Sequence, residues 1–155
     1  MSLFLSTYVN KVDKKGRVSV PAQFRTVLVN ERFPGIIAYP SFVHDCVEAC
    51  GISRIERLSE SIDNLDPFSE QRDAFATSIL GGSLQIAFDS EGRISLPESL
   101  IEVAALKEQA VFVGKGATFE IWEPKRFDAY SEKARTLAKQ ERAVLRLSPK
   151  TGGPS

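Results

Sequence analysis

The most constraining feature of this chain is a nine-residue statement made twice. Asp13-Lys14-Lys15-Gly16-Arg17-Val18-Ser19-Val20-Pro21 returns 76 positions later as Asp89-Ser90-Glu91-Gly92-Arg93-Ile94-Ser95-Leu96-Pro97, with five of nine positions identical and two more conservative. Internal repetition fixes architecture before any other signal does. The echo extends outward, with Tyr8 and Val12 matching Leu84 and Phe88, and Phe24 matching Leu100. Two copies of one module of roughly 45 residues follow, each too small to hold a good core alone. Fused copies can share one core. The expected result is an internal pseudo-two-fold axis of the kind a protein can match to duplex DNA.

Each copy reads as strand, tight turn, strand and helix. Tyr8 to Val12 alternates large apolar and polar residues, and so does Arg17 to Val20, as half-buried strands do. Between them, Asp13 can turn the chain by accepting from amides two residues on, and Gly16 supplies the positive-φ position. Pro21 fits a helix start, with Phe24 and Leu28 spaced for an inward face. The second copy repeats this grammar through Leu84, Ile86 and Phe88, the turn at Asp89 to Gly92, Ile94 and Leu96, then Pro97 and a helix to Leu106. A strand pair follows each helix. In the second copy it is Ala110 to Val113 and Phe119 to Trp122; in the first it is Gly35 to Tyr39 and roughly Cys46 to Ala49, less regular and expected to be looser. The Gly114-Lys115-Gly116 loop is not a phosphate cradle, because Gln109 stands where the first glycine would be required and a strand follows it, so it reads as a hairpin turn.

The remaining segments connect and extend the modules. Ile52, Ile55, Leu58, Ile62 and Leu65 recur at helical spacing, and Asp66-Pro67 is expected to cap a second helix carrying Phe68, Phe75 and Ile79. After Pro124, Phe127, Leu137, Ala138 and Leu145 predict a last helix with a basic surface, and the Ser148 to Ser155 stretch reads as a disordered tail. The expected layout is module 1 over 7–54, a helical linker over 55–82, module 2 over 83–126, a C-terminal helix over 127–147 and the tail over 148–155. The fold class is α+β, with the two hairpin modules forming one pseudo-two-fold β-barrel body.

Composition narrows the function classes. The 155 residues are 43% hydrophobic and 26% charged, enough apolar material for one compact body. No stretch approaches the ~20 apolar residues of a membrane span, and the N-terminus lacks a signal-peptide pattern, which points to the cytoplasm. Twenty basic and twenty acidic residues cancel, but unevenly. Lys11, Lys14, Lys15, Arg17 and Arg25 face Asp13 alone in the first copy, whereas Arg93 stands among Asp89, Glu91, Glu98 and Glu102 in the second. Cys46 and Cys50, with His44, form the only soft-ligand cluster. On a strand the two thiols would lie ~13 Å apart, too far for a disulfide or a shared metal, so no metal and no cofactor is expected.

An arginine directly after a tight turn offers a planar donor fork from a rigid position, chemistry suited to phosphate or a guanine edge. Arg17 and Arg93 both stand so, each with an aspartate four residues earlier that can stiffen the hairpin and orient the guanidinium. The repeated Asp-x-x-Gly-Arg followed by an alternating strand and Pro, with Val20-Pro21-Ala22-Gln23-Phe24-Arg25 in the first copy and Phe119-Glu120-Ile121-Trp122-Glu123 in the second, resembles the MraZ family. The likeness spans nearly residues 7 to 145. It implies tandem AbrB-like swapped-hairpin modules and a DNA-binding transcriptional regulator of its own division and cell-wall gene cluster. It also implies assembly as a homo-oligomeric ring acting on repeated upstream elements at the nucleoid. Carried over by position, the DNA-binding candidates are Asp13, Arg17, Asp89 and Arg93; Lys14, Lys15 and Arg25 join them on charge. Ile101 departs from the family, which usually carries an arginine there, and Arg17 is expected to matter more to binding than Arg93.

Two other classes compete with this reading. Catalysis finds little support, since His44 is the single histidine and no nucleophile or paired-carboxylate site is evident. A self-assembling interaction scaffold or antitoxin-like module, with the arginines only stabilising turns, is favoured by net neutrality and the acidic second copy. The expected partners are double-stranded DNA and other copies of the chain, with no membrane and no small-molecule substrate.

Overall fold

The computed structural model describes residues 2–149 and forms two compact units, one running to Pro124 and the other starting at Lys125. The first unit is α+β. In chain order it holds β1 (Thr7–Lys11), β2 (Arg17–Ser19), α1 (Ala22–Leu28), β3 (Gly35–Pro40), β4 (Val47–Cys50), α2 (Ile52–Asp63), α3 (Glu70–Phe75), a π-helical turn at Ala76–Leu80, β5 (Leu84–Ala87), β6 (Arg93–Ser95), α4 (Glu98–Ala104), β7 (Gln109–Gly114) and β8 (Phe119–Trp122). All paired strands run antiparallel. Six of them form one sheet in the order β1-β7-β8-β4-β3-β5, and β2 pairs with β6 in a separate two-stranded ribbon.

The registers interlace the two halves of the sequence. β1 joins β7 with Asn10 opposite Ala110 and Tyr8 opposite Phe112. β5 joins β3 with Ile86 opposite Ile36 and Leu84 opposite Ala38. In the ribbon, Val18 faces Ile94, with Arg17 opposite Ser95 and Ser19 opposite Arg93. The turn glycines lengthen this ladder, since Val20 N–H donates to the Gly92 carbonyl at 3.2 Å and Leu96 N–H to that of Gly16 at 2.9 Å.

Burial follows the side-chain alternation of the strands. Val18 and Ile94 turn inward, each 1% exposed, and join Phe24, Leu100, Phe112, Phe119 and Ile121 in the main core. Phe24 organises that cluster: its ring lies 5.3 Å from Phe4, 5.5 Å from Tyr8, 6.4 Å from Phe112 and 4.9 Å from Phe119. Fully burying such side chains stabilises a fold by about 1.5–3 kcal/mol each. A second cluster lies on the opposite face of β3, where Ile37 and Tyr39 meet Cys50, Ile52, Ile55, Ile62 and Ile79 from β4, α2 and the π-helical turn. β3 is thus covered on both sides, which is why Ile36, Ile37, Ala38 and Tyr39 run apolar without alternating.

Several elements depart from the sequence expectation. The first copy's strand pair is not loose: β3 and β4 sit inside the sheet, between β5 and β8, because strands from the other half of the chain pair onto them. α2 does start at Ile52, where the helical spacing begins. Asp66 does not cap the next helix. Its Oδ1 accepts from Phe68 N–H at 3.0 Å to close a turn, and Ser69 is the cap, accepting from Arg72 N–H at 3.1 Å. Phe68 therefore falls outside the helix and is 94% exposed, while the π-helical turn carries Ile79 into the core.

The second unit holds α5 (Pro124–Gln140) from its second residue, Lys125, onward, followed by a 3-10 turn at Arg142–Val144. Helix was expected to 147. It stops earlier because Leu145 and Leu147 find no apolar surface, being 83% and 98% exposed, and Pro149 disfavours helix just before it. Of the expected tail, residues 150–155 lie outside the described residues.

Candidate nucleic-acid interface

The two turns flanking the ribbon are built alike, bond for bond. Asp13 Oδ1 accepts the amides of Lys15 at 3.0 Å and Arg17 at 2.8 Å, and its Oδ2 takes Arg17 Nε at 2.7 Å. Asp89 Oδ1 accepts the amides of Glu91 at 2.8 Å and Arg93 at 2.9 Å, and its Oδ2 takes Arg93 Nε at 2.8 Å. Each turn closes through its glycine, with Gly16 at φ +79° and Gly92 at φ +76°, a left-handed backbone that Cβ-bearing residues resist. The aspartate is therefore an acceptor for three donors at once. The Arg17 amide, then the Arg17 side chain and the Lys15 amide, hold the Asp13 carboxyl below the usual range; Asp89 is lowered in the same way by Arg93 and Glu91. An exposed ion pair contributes little to stability, so the pairing serves chiefly to aim the guanidinium.

Aiming through Nε matters chemically. It leaves the terminal Nη donors of each arginine unused by the turn aspartate, and a planar fork suits a phosphate or a guanine edge. Among the described residues no acceptor takes the Nη donors of Arg17. Arg93 differs, because its Nη2 lies 3.4 Å from Glu91 Oε2. Both aspartate and glutamate raise the Arg93 pKa further. The second arginine is thus partly neutralised by its own turn.

The ribbon sets the spacing. Residues paired across an antiparallel ladder share a face, so Arg17, Ser19, Arg93 and Ser95 lie together opposite the buried Val18 and Ile94. Gly16 and Gly92 stand at opposite ends of it, ~13 Å apart for four residues of strand. Asp13, Lys14, Arg17 and Arg93 line one depression of about 520 Å³ together with Lys11, Ser19 and Glu108. Lys15 sits in the first turn, exposed, but does not line it.

Arg25 is placed differently from its neighbours in sequence. Its Nε donates to the Val20 carbonyl at 3.1 Å, and its guanidinium lies on the second turn: a Cβ built on Gly92 would come within 2.6 Å of Arg25 Nη1. Ile101, one repeat later, lies on the first turn, 3.1 Å from a Cβ built on Gly16. The structure thus brings six of the seven expected residues to the ribbon turns they belong to in sequence, and carries Arg25 across to the other. Sequence reasoning missed Ser19 and Ser95, although their identity in both copies marked them.

The other chemistry-bearing residues lead elsewhere. His44 packs against Trp122 at 5.4 Å, and Trp122 Nε1 donates to Glu120 Oε1 at 2.9 Å. Cys46 and Cys50 are buried free thiols, with burial the main cause that pushes both up in pKa, Cys50 to about 12. Among the described residues no group of His, Cys, Asp and Glu could hold a metal, and no helix is long and apolar enough to cross a membrane.

Fold and site together define an α+β protein that joins two copies of an aspartate-anchored arginine turn into one exposed ribbon. A family model described as "MraZ protein, putative antitoxin-like" matches residues 79–147. Proteins named Transcriptional regulator MraZ are similar over 146 residues, 94% of this chain and 98% of theirs: 58% identical in Rickettsia canadensis, 56% in Rickettsia felis and 55% in Rickettsia akari. The chain belongs to the MraZ family. It is accordingly a transcriptional regulator and not an enzyme.

Proposed function

We propose that this regulator acts by binding double-stranded DNA sequence-specifically through the β2–β6 ribbon, with Asp13, Lys14, Lys15, Arg17, Arg25, Asp89 and Arg93 as its contact set. One observation carries the reading: two turns with the same hydrogen-bond pattern present arginines from opposite ends of one exposed two-stranded ribbon. The major groove of B-DNA admits a two-stranded ribbon. Phosphate contacts from the turn cations would fix its register while an arginine fork reads a base edge.

The tandem AbrB-like description fits as well. Exchanging each strand for its repeat equivalent turns the order β1-β7-β8-β4-β3-β5 into its own reverse, and Tyr8–Phe112 into Leu84–Ala38, which supports a pseudo-two-fold axis through the β4–β8 and β2–β6 pairs. On this reading residues 7–54 and 83–126 are the modules and 55–82 links them. The protein works in the cytoplasm, at the nucleoid, repressing its own division and cell-wall gene cluster from repeated upstream elements. Assembly into a ring would let modest single-module affinity act through effective concentration.

Fluorescence anisotropy with a duplex from upstream of its own gene, against a scrambled duplex, tests this. Selective binding that falls steeply with salt is expected. Equal weak binding to both would favour the second reading, a self-assembling interaction module. That reading draws on the antitoxin-like description of the family model and on the exposed Phe42, Val43 and Phe68.

A further inference from the structure

We infer that Arg25 works on the second turn and not on its own, so that the ribbon's two ends hold different cation sets. The inference rests on the DNA-binding reading above and specifies how it is divided between the turns. In sequence, Arg25 adds to a first copy already rich in Lys14, Lys15 and Arg17. In space its guanidinium covers Gly92, with Nη1, Cζ and Cδ at 2.6, 2.8 and 2.9 Å from where a Cβ would stand. Only a glycine lets the side chain lie that close. Its Nε is fixed by the Val20 carbonyl, and Val20 N–H is in turn bonded to the Gly92 carbonyl, so helix, strand end and turn form one connected unit.

The consequence is electrostatic. The second turn has Ser90 and Glu91 where the first has Lys14 and Lys15, and Glu91 sits against Arg93. Without Arg25 that end would offer one arginine amid two carboxylates. With it, the second turn gains a further guanidinium group, laid over Gly92. At the first turn the equivalent residue is Ile101, half-buried against the core, and Lys14, Lys15 and Arg17 act without such a partner. Arg25 and Arg93 therefore supply the cations of the second turn between them, while Arg17 shares the first with Lys14 and Lys15.

Anisotropy titrations of the folded full-length chain with its own upstream duplex, over a salt series, test this. Arg25→Ala and Arg93→Ala should each weaken binding about threefold, and the double variant by clearly more than the product, on the order of thirtyfold, as expected if both cations of the second turn serve one patch of the DNA backbone. Arg25→Ala with Arg17→Ala should come closer to multiplying, because Gly92, under Arg25, and Gly16, beside Arg17, stand ~13 Å apart and coupling fades beyond about 10 Å. Ile101→Arg should gain affinity and steepen the log–log salt slope by about 0.9, one further phosphate contact. Coupling of Arg25 to Arg17, with none to Arg93, overturns the inference while leaving the DNA reading intact. Loss of effect at Arg17 and Arg93 alike would instead remove the DNA reading itself. Arg25→Lys, which keeps the charge on the same stem, should retain most of the binding; if it binds as poorly as Arg25→Ala, a fold defect explains both and the inference falls.

Discussion

Alanine at the two turn glycines should separate the fold's demands from the interface's. Gly16 and Gly92 share a left-handed backbone, so either substitution costs about 1–2 kcal/mol of strain. Loss of unfolded-state freedom returns about 0.4–1 kcal/mol, leaving each near 1 kcal/mol. Their surroundings then diverge. The new methyl at Gly16 would stand 3.0 Å from the Leu96 carbonyl oxygen and 3.1 Å from Ile101 Cδ1. Leu96 is tied back to Gly16 by its own amide, so that carbonyl cannot move freely, and overpacking adds at least about 1 kcal/mol. At Gly92 the nearest atoms are all from the Arg25 side chain, from Cδ outward, and that side chain can swing into water. Gly16→Ala should therefore cost about 2 kcal/mol and Gly92→Ala about 1 kcal/mol, measured by urea denaturation as a shifted midpoint at unchanged slope. DNA affinity should show a second difference, since Gly92→Ala evicts Arg25 and should reproduce the loss seen with Arg25→Ala. Gly92→Ala that destabilises as much as Gly16→Ala, or that leaves DNA affinity untouched, would refute this reasoning.

Phe24→Ala, which removes the ring shared by Phe4, Tyr8, Phe112 and Phe119, should cost about 3–5 kcal/mol in the same denaturation assay. Cys46 and Cys50 should stay unreactive to a thiol reagent at neutral pH until the chain unfolds, because burial raises both thiols; fast labelling of native protein would contradict their placement. Asp13 and Asp89 titrate lower folded than unfolded, so what they contribute is present above the ordinary aspartate pKa near 3.8 and is lost as pH falls through their lowered values. Carboxyl NMR titration should show both turns intact from pH 8 to 5, with both carboxyls titrating below the ordinary 3.8 and the turns opening as they do.

The duplicated turn was legible because its chemistry is local. An aspartate, a glycine and an arginine at fixed spacing can close in one way, and both copies do so with bond lengths that differ by at most 0.2 Å. What sequence order concealed was exchange between the halves. β3 looked irregular because a strand buried on both faces loses its alternation, and its neighbour β5 comes from the other copy. Arg25 was grouped with Lys14 and Lys15 by proximity along the chain, whereas the ribbon pairing carries it to Gly92. The linker was recognisable from its helical spacing, yet Asp66 competed for amides within its own turn and left the cap to Ser69. Local hydrogen-bonding capacity of Asp and Ser is ambiguous between turn and cap until the next residues choose.

The most direct test of the account measures the affinity of Arg17→Ala and of Arg93→Ala for the duplex upstream of the protein's own gene, across a salt series and against a scrambled duplex. Both variants should bind more weakly than the unaltered protein, Arg17→Ala by the larger factor because Arg93 is already engaged by Glu91 and seconded by Arg25, with each salt slope reduced by about 0.9. Unchanged affinity and slope in both variants, with the two duplexes bound equally, would contradict the claim that the paired-turn ribbon is the DNA-binding surface.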